Sequence, residues 1–142
     1  MQNYQNHRRI YPFHHLFLVP ITVTIFIWSL VNLFSSQGDV VNQIYNVLAG
    51  FTLVLISFIA RIYALKNQDR IIRLEMRLRY FEMTGKSFSD KEKQLKQGQI
   101  IALRFAGDNE ILTLIDRAIS EKLSSKEIKL AITDWQADEK RV

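Results

Sequence analysis

The sequence predicts an all-α membrane protein: a two-helix transmembrane hairpin, then a long basic juxtamembrane helix and a small cytoplasmic helical tail. Three observations lead to this fold class. The chain has two long charge-free apolar stretches, an excess of arginines directly after the second stretch, and apolar residues at helical spacing in the remainder. Its 142 residues suffice for a membrane anchor with one small soluble module.

Both apolar stretches are long enough to cross a bilayer. Residues 16–34 read LFLVPITVTIFIWSLVNLF without a charge, and the second stretch is centred on NVLAGFTLVLISFIA. About twenty apolar residues in a helix match a hydrocarbon core roughly 30 Å thick. We therefore predict a hairpin over residues 16–65, with spans at about 16–34 and 45–65 and an external loop at 35–44. The polar and aromatic arm 1–15 and the absence of a small-residue cleavage site favour an anchor over a cleaved signal peptide.

The distribution of positive charge predicts the orientation of the hairpin. Arg8 and Arg9 precede the first span, and the loop 35–44 contains neither Lys nor Arg. Arg61 lies at the end of the second span, where its side chain can reach the interface, and the residues that follow include Lys66, Arg70, Arg73, Arg77 and Arg79. Since positive residues stay on the cytoplasmic side, we expect a multi-pass protein of the bacterial inner (cytoplasmic) membrane with both termini in the cytoplasm.

Residues 66–85 are predicted to form an amphipathic basic helix, which Gly85 ends. At 100° per residue one narrow stripe carries only cations, namely Lys66, Arg70, Arg73 and Arg77. This basic stripe has two interpretations. It is either a solvated face that marks the inner side of the membrane or a contact for anionic lipid, and less readily for nucleic acid, because no interleaved aromatic residues accompany it.

Two apolar stripes flank the basic stripe on this helix. One consists of Ile71, Leu74, Leu78 and Phe81, and the other of Leu65, Ile72, Met76 and Met83. A surface helix normally has one apolar face, so two such stripes predict packing on two sides. Within the second span the small residues that permit close helix packing are Gly50, Ser57 and Ala60.

Residues 86–142 are predicted to form a helical module of three short helices with a frayed DEKRV end. Ser89 with Glu92 and Ser124 with Glu127 fit the S-x-x-E capping box, and Asp108 is expected to cap the middle helix. The apolar positions at helical spacing are Ile111, Leu114, Ile115, Ala118 and Ile119, then Ile128, Ala131, Ile132 and Trp135. Helices this short must pack on one another, on the Ile71/Leu78 stripe or on a partner.

Few residues suit catalysis or metal binding. The chain has no cysteine, and its histidines are His7, His14 and His15, two of them adjacent and therefore about 100° apart on a helix. Neither predicted span contains an ionisable residue at depth, as a proton or ion pathway would need. LSSKEIKLAI is only a weak match to a DNA-reading helix, because the module has no net charge. We expect no enzyme, no cofactor and no metal site.

Several stretches resemble a known family along nearly the whole chain. They are QNYQNHRR, QDRIIRLEMRLRYFEMTGKSF, QLKQGQIIALRFAGDNE, LSSKEIKLAI and DWQADEKRV, and QGQIIALRFA is the most specific. With these blocks the chain resembles DUF6526, a family of small bacterial membrane proteins. The resemblance implies two spans and a helical cytoplasmic tail. It implies no activity, so no functional residues carry over.

The doubly striped helix favours a non-enzymatic structural or accessory component of a membrane protein complex, or a homo-oligomer. One alternative is a membrane-tethered module that binds anionic lipid, or with less support nucleic acid, through the basic stripe. Another is a small subunit of a transporter or respiratory complex whose chemistry lies in other chains.

Overall fold

The computed structural model describes residues 11–35 and 38–137, and within these ranges the regular secondary structure is helical apart from one isolated β-bridge. A π-helical stretch, Phe13–Leu18, leads into α1 (Val19–Ser35), and α2 is Val40–Thr84. The later helices are α3 (Ser89–Glu92), α4 (Gln97–Leu103), α5 (Asp108–Ser120) and α6 (Ser125–Ala131). Contacts divide the chain into two compact units, residues 11–65 and 66–137. The predictions for Arg8, Arg9, His7 and the DEKRV end concern residues outside the described ranges.

The first helix begins earlier than the predicted span and has a π-helical start. Pro20, near the start of α1, has no N–H to donate to the carbonyl of Leu16, and its ring would clash with that carbonyl in a regular helix. A wider π-turn before a proline accommodates both effects. The continuous helical stretch Phe13–Ser35 contains 23 residues.

Small residues line the close contact between α1 and the first half of α2. A Cβ on Gly50 would lie 3.1 Å from the Cα of Phe26, so the helix backbones approach closely there. Thr22, Ser29 and Ser57 are buried in this unit. Thr22 and Ser29 donate hydroxyl hydrogen bonds to carbonyls of their own helical turns, which satisfies their polarity without a partner helix.

The outer faces of these two helices are apolar and exposed. These faces carry large side chains such as Trp28 (68 % exposed), Phe34 (85 %) and Val41 (74 %). Phe13–Ser35 and Val40–Thr84 are each long and apolar enough to cross a membrane. In their most apolar segments only 11 % of residues are buried, unlike the core helix of a soluble protein.

Helix α2 begins five residues before the predicted start of the second span, because Asp39 caps it. The Asp39 carboxylate accepts hydrogen bonds from the backbone N–H of Val41 (3.1 Å) and the side-chain amide of Asn42 (2.7 Å). The polar VVNQ segment, predicted as loop, is therefore helical. At the other end Gly85 adopts φ +67° and donates to the Phe81 carbonyl at 2.7 Å, so the predicted stop is confirmed.

The unit 66–137 has one hydrophobic core, which α4 occupies most deeply. Ile100 and Leu103 of α4 are fully buried, and Ile128 of α6 packs into the same cluster. The predicted number of three tail helices is wrong, because α4 forms a separate helix between α3 and α5. Gln99 closes its first turn: its side-chain oxygen accepts from the Lys96 N–H at 2.6 Å.

Two of the three predicted N-caps are wrong. Ser89 lies inside α3 and makes no capping bond, because Glu92 turns towards arginines of α2 instead. Asp108 is the first residue of α5, after Gly107 as N-cap, and pairs with Arg79. The capping box of Ser124 and Glu127 is confirmed: Glu127 N–H donates to Ser124 Oγ (3.2 Å), and Ser124 N–H donates to Glu127 Oε2 (2.7 Å).

The sequence placed Trp135 on the apolar stripe of α6, but in the structure Trp135 lies outside this helix. The helix ends at Ala131, and Trp135 forms an antiparallel bridge with Ala106. Its ring stacks on Phe105 with centroids 4.8 Å apart. The chain after α6 therefore returns along the α4–α5 connection.

Candidate functional site

The two apolar stripes of α2 have opposite environments within the unit 66–137. Ile72 and Met76 are 3 % and 2 % exposed, because the tail core packs on them. The other stripe consists of side chains that are 55–60 % exposed, namely Ile71, Leu74, Leu78 and Phe81. The tail therefore packs on the Ile72/Met76 stripe, which the sequence had not singled out for this contact, and the predicted alternative of the Ile71/Leu78 stripe is wrong for this unit.

The basic stripe borders an open groove of about 590 Å³. Its lining includes all four predicted cations, Lys66, Arg70, Arg73 and Arg77, together with Asp69, Leu74 and Gln97. Gln97, the first residue of α4, joins the tail to this groove: its side-chain N–H donates to the Asp69 carbonyl at 3.2 Å, and its oxygen accepts from Arg73.

Glu92 pairs with two arginines of the stripe. Arg77 donates to its carboxylate from Nε (2.6 Å) and Nη2 (3.0 Å), and Arg73 Nε lies 3.2 Å away. The hydrogen bonds and charge of Glu92 raise the pKa of Arg77 above its ordinary value. The Glu92 side chain is only 10 % exposed, so these arginines provide the compensation that a nearly buried carboxylate requires.

Lys66 and Arg70 differ from the other two cations of the groove. Both are exposed, and neither makes an ion pair within residues 11–35 and 38–137. The predicted basic stripe therefore contains two structural arginines, Arg73 and Arg77, and two cations that are available for ligands, Lys66 and Arg70.

Arg79, which is not part of the basic stripe, also has a structural role. It donates to the Asp108 carboxylate at 2.7 Å and to the Ala106 carbonyl at 2.7 Å, and so holds the α4–α5 connection against α2.

A second polar cluster, around Glu110, was not predicted from the sequence. Its carboxylate accepts from the Thr133 hydroxyl (2.6 Å) and from the N–H groups of Thr133 (3.0 Å) and Asp134 (3.0 Å). Burial alone would raise the pKa of Glu110, but these hydrogen bonds outweigh it and lower the pKa. The only sequence signal was a Glu in the first turn of one helix and a Thr-Asp pair after another.

The small residues predicted for helix packing in the second span differ in their burial. Gly50 and Ser57 are buried within the unit 11–65, whereas Ala60 is exposed. Phe26 and Phe51 add a ring contact at 5.7 Å beside Gly50.

The family model of DUF6526, described as a family of unknown function, matches residues 1–142. The chain belongs to the DUF6526 family. Searches of the curated proteins and of the solved structures find no match.

In this DUF6526 chain, the groove beside the basic stripe is a surface that suits binding. In the described part of the chain no three His, Asp or Glu side chains lie together in a group suited to a metal ion. The groove presents guanidinium and ammonium donors beside an exposed apolar stripe. Such a surface can bind an anionic group or an apolar helix.

Proposed function

We propose that this chain is a non-enzymatic integral protein of a bacterial inner membrane, which it crosses twice with both termini in the cytoplasm. There it serves as a structural or accessory component of a membrane protein complex, either with other subunits or with copies of itself. The observation that carries the proposal is the exposed stripe Ile71, Leu74, Leu78 and Phe81, on a helix whose opposite face its own tail already covers.

The membrane part of the proposal is supported by the outer surfaces of the first unit. Apolar side chains are stable on an exposed helix face when lipid surrounds them. Helix α2, with 45 residues at about 1.5 Å each, is also too long for a hydrocarbon core of about 30 Å. Its charged part, from Arg61 onward, would then lie outside the core on the cytoplasmic side.

The assembly part of the proposal rests on the energetics of the exposed stripe. Burying a large aliphatic or aromatic side chain is worth about 1.5–3 kcal/mol relative to leaving it in water. Four such side chains in one row form a surface that association would stabilise. On a cytoplasmic helix, a row of this kind fits a contact with another protein surface.

Extraction in mild detergent followed by native mass measurement tests this function. We expect a species heavier than one chain, and we expect Ile71→Ser with Leu78→Ser to reduce it to the monomer. Leu130→Ser is the matched control, because Leu130 is 58 % exposed, like Leu78, but lies on α6. A strictly monomeric, partnerless wild type would contradict the proposal.

A second candidate function, binding of anionic lipid, is favoured by Lys66 and Arg70. Both are exposed beside the groove without an ion-pair partner among the described residues. Each cation close to an anionic surface contributes about 1 kcal/mol. Lys66→Gln with Arg70→Gln should therefore lower the retention of anionic lipid in native mass spectra several-fold, whereas Lys122→Gln with Lys126→Gln in the tail should not. Equal retention in both variants would exclude this candidate.

A further inference from the structure

The exposed stripe of α2 has the spacing of a coiled-coil seam. Ile71, Leu74, Leu78 and Phe81 follow each other at intervals of three, four and three residues. This is the a–d–a–d pattern of two heptads, which buries a stripe against a second helix by knobs-into-holes packing. One further step at this spacing reaches Asn67 on one side and Gly85 on the other, so the apolar seam has four layers.

The residues beside this seam carry opposite charges on its two sides. With Ile71 at position a, Arg70 and Arg77 occupy g positions, and Glu75 and Glu82 occupy e positions. All four side chains are exposed. Neither glutamate has an ion-pair partner in the described ranges, and Glu92 binds Arg77 through Nε and Nη2, which leaves Nη1 free to donate.

The charge pattern determines which kind of pair the seam can form. In a parallel pair each g residue lies beside the e residue five positions later on the other helix. Arg70 then faces Glu75 of the second copy, and Arg77 faces Glu82. In an antiparallel pair g residues meet g residues and e residues meet e residues, so arginine would face arginine. The pattern is therefore self-complementary for two parallel copies of the same helix.

We propose that two copies of this chain pair in parallel and in register through Ile71, Leu74, Leu78 and Phe81, with Arg70–Glu75 and Arg77–Glu82 ion pairs between copies. This inference rests on the proposed function, since insertion in one membrane gives both copies the same direction. Two heptads alone are too short for a stable coiled coil in solution. Confinement to the membrane raises the effective concentration of the second helix and so favours the pairing.

Disulfide formation in the full-length protein in membranes tests the register, because the chain has no cysteine of its own. Leu74→Cys and Leu78→Cys should each form disulfide-linked dimers under mild oxidation, since an in-register parallel seam places identical positions face to face. Leu130→Cys reports random collisions at matched exposure and should form far fewer dimers. Equal yields at positions 78 and 130 would overturn the proposal.

A charge exchange tests the pairing of the flanking residues. In the Leu78→Cys background, Arg70→Glu alone places glutamate beside glutamate, and Glu75→Arg alone places arginine beside arginine. With two symmetry-related pairs changed from attraction to repulsion, self-pairing at low salt should fall on the order of tenfold. Coexpressing the two variants with different tags should restore the dimer as the mixed species. Dimer yields that are the same with and without the charge changes would refute this arrangement.

The outcomes separate this inference from the proposed function. A heavier native species without a Leu78→Cys dimer would mean that another chain covers the stripe, so self-pairing is wrong while the accessory function stands. A monomeric native species without a dimer would contradict both.

Discussion

The Glu92 carboxylate accepts two hydrogen bonds from Arg77, at 2.6 Å from Nε and 3.0 Å from Nη2. This pair fastens the one-turn helix α3 to α2, fifteen residues earlier in the chain. It also gives Arg77 a structural role in the basic stripe, which the sequence left open as a solvated face or a contact for anionic lipid. A basic stripe in a sequence can therefore contain both cations that stabilise the fold and cations that remain available for ligands.

The pair predicts non-additive effects on stability. Arg77→Gln and Glu92→Gln should each lower the thermal midpoint of the tail, and the double variant should cost less than the sum of the two, because each change alone leaves the other group without its partner. Circular dichroism of the detergent-solubilised chain measures the midpoints. Lys66→Gln, the matched control on the same stripe, should leave the midpoint unchanged. Strict additivity would show that the two residues do not interact.

The hydrogen bonds that Glu110 accepts from Thr133 and Asp134 predict a loss of tail packing in acid. Its pKa in the folded chain lies below the ordinary 4.5, so its stabilising effect is fully present above that value and is lost as pH falls through the lowered pKa. Trp135 reports on the segment that Glu110 holds, and Trp28→Phe makes it the only tryptophan. We expect its fluorescence to shift to the red in acid. In Glu110→Gln the shift should already be present at neutral pH; an unchanged acid transition in that variant would contradict this role.

The close helix contact at Gly50 predicts that a larger side chain at this position destabilises the packing of α1 on α2. Gly50→Val places a side chain against the backbone of Phe26, where a Cβ would already lie at 3.1 Å, and overpacking of this kind costs about 1–3 kcal/mol. Unfolding in sodium dodecyl sulfate, followed by circular dichroism, measures the cost. Ala60→Val changes an exposed position of the same helix and should be tolerated. Similar losses for both variants would mean that the helices do not pack at Gly50.

The burial of Ile128 predicts that the packing of α6 contributes strongly to the free energy of unfolding of the tail. It is fully buried, and Ile128→Ala should destabilise the tail by about 2–5 kcal/mol through lost burial and the cavity left behind. Leu130→Ala, two residues later and 58 % exposed, should change stability by less than about 0.5 kcal/mol. Urea unfolding, monitored by Trp135 fluorescence in the Trp28→Phe background, gives both values. A similar cost at both positions would contradict the packing of α6.

The strongest periodic signals in the sequence predicted their elements well. The two apolar helices, the stop at Gly85 and the Ser124–Glu127 cap all depend on neighbouring residues, so local sequence is sufficient to predict them. The cap predicted at Ser89 failed because the same Glu92 has a stronger use, the ion pair with Arg77. A local motif cannot show that a distant arginine competes for its carboxylate.

The tertiary arrangement of the candidate site could be predicted only in part. Periodicity identified both apolar stripes of α2, but the stripe named for tail packing, Ile71/Leu78, is the one that the tail leaves exposed. Which stripe the tail covers depends on α4, whose fully buried Ile100 and Leu103 belong to a helix the sequence did not separate. The bridge of Trp135 with Ala106 was missed for a related reason, since Glu110 holds the chain after α6 in an extended path.

Cysteine labelling in intact cells tests the proposed topology of the hairpin. The cysteine-free chain allows single substitutions at Gly38 in the connector and at Lys126 in the tail. A membrane-impermeant maleimide should label Gly38→Cys in intact cells and Lys126→Cys only after lysis. Labelling of the tail from outside, or recovery of the unmodified protein in solution without detergent, would contradict insertion as a hairpin with a cytoplasmic tail.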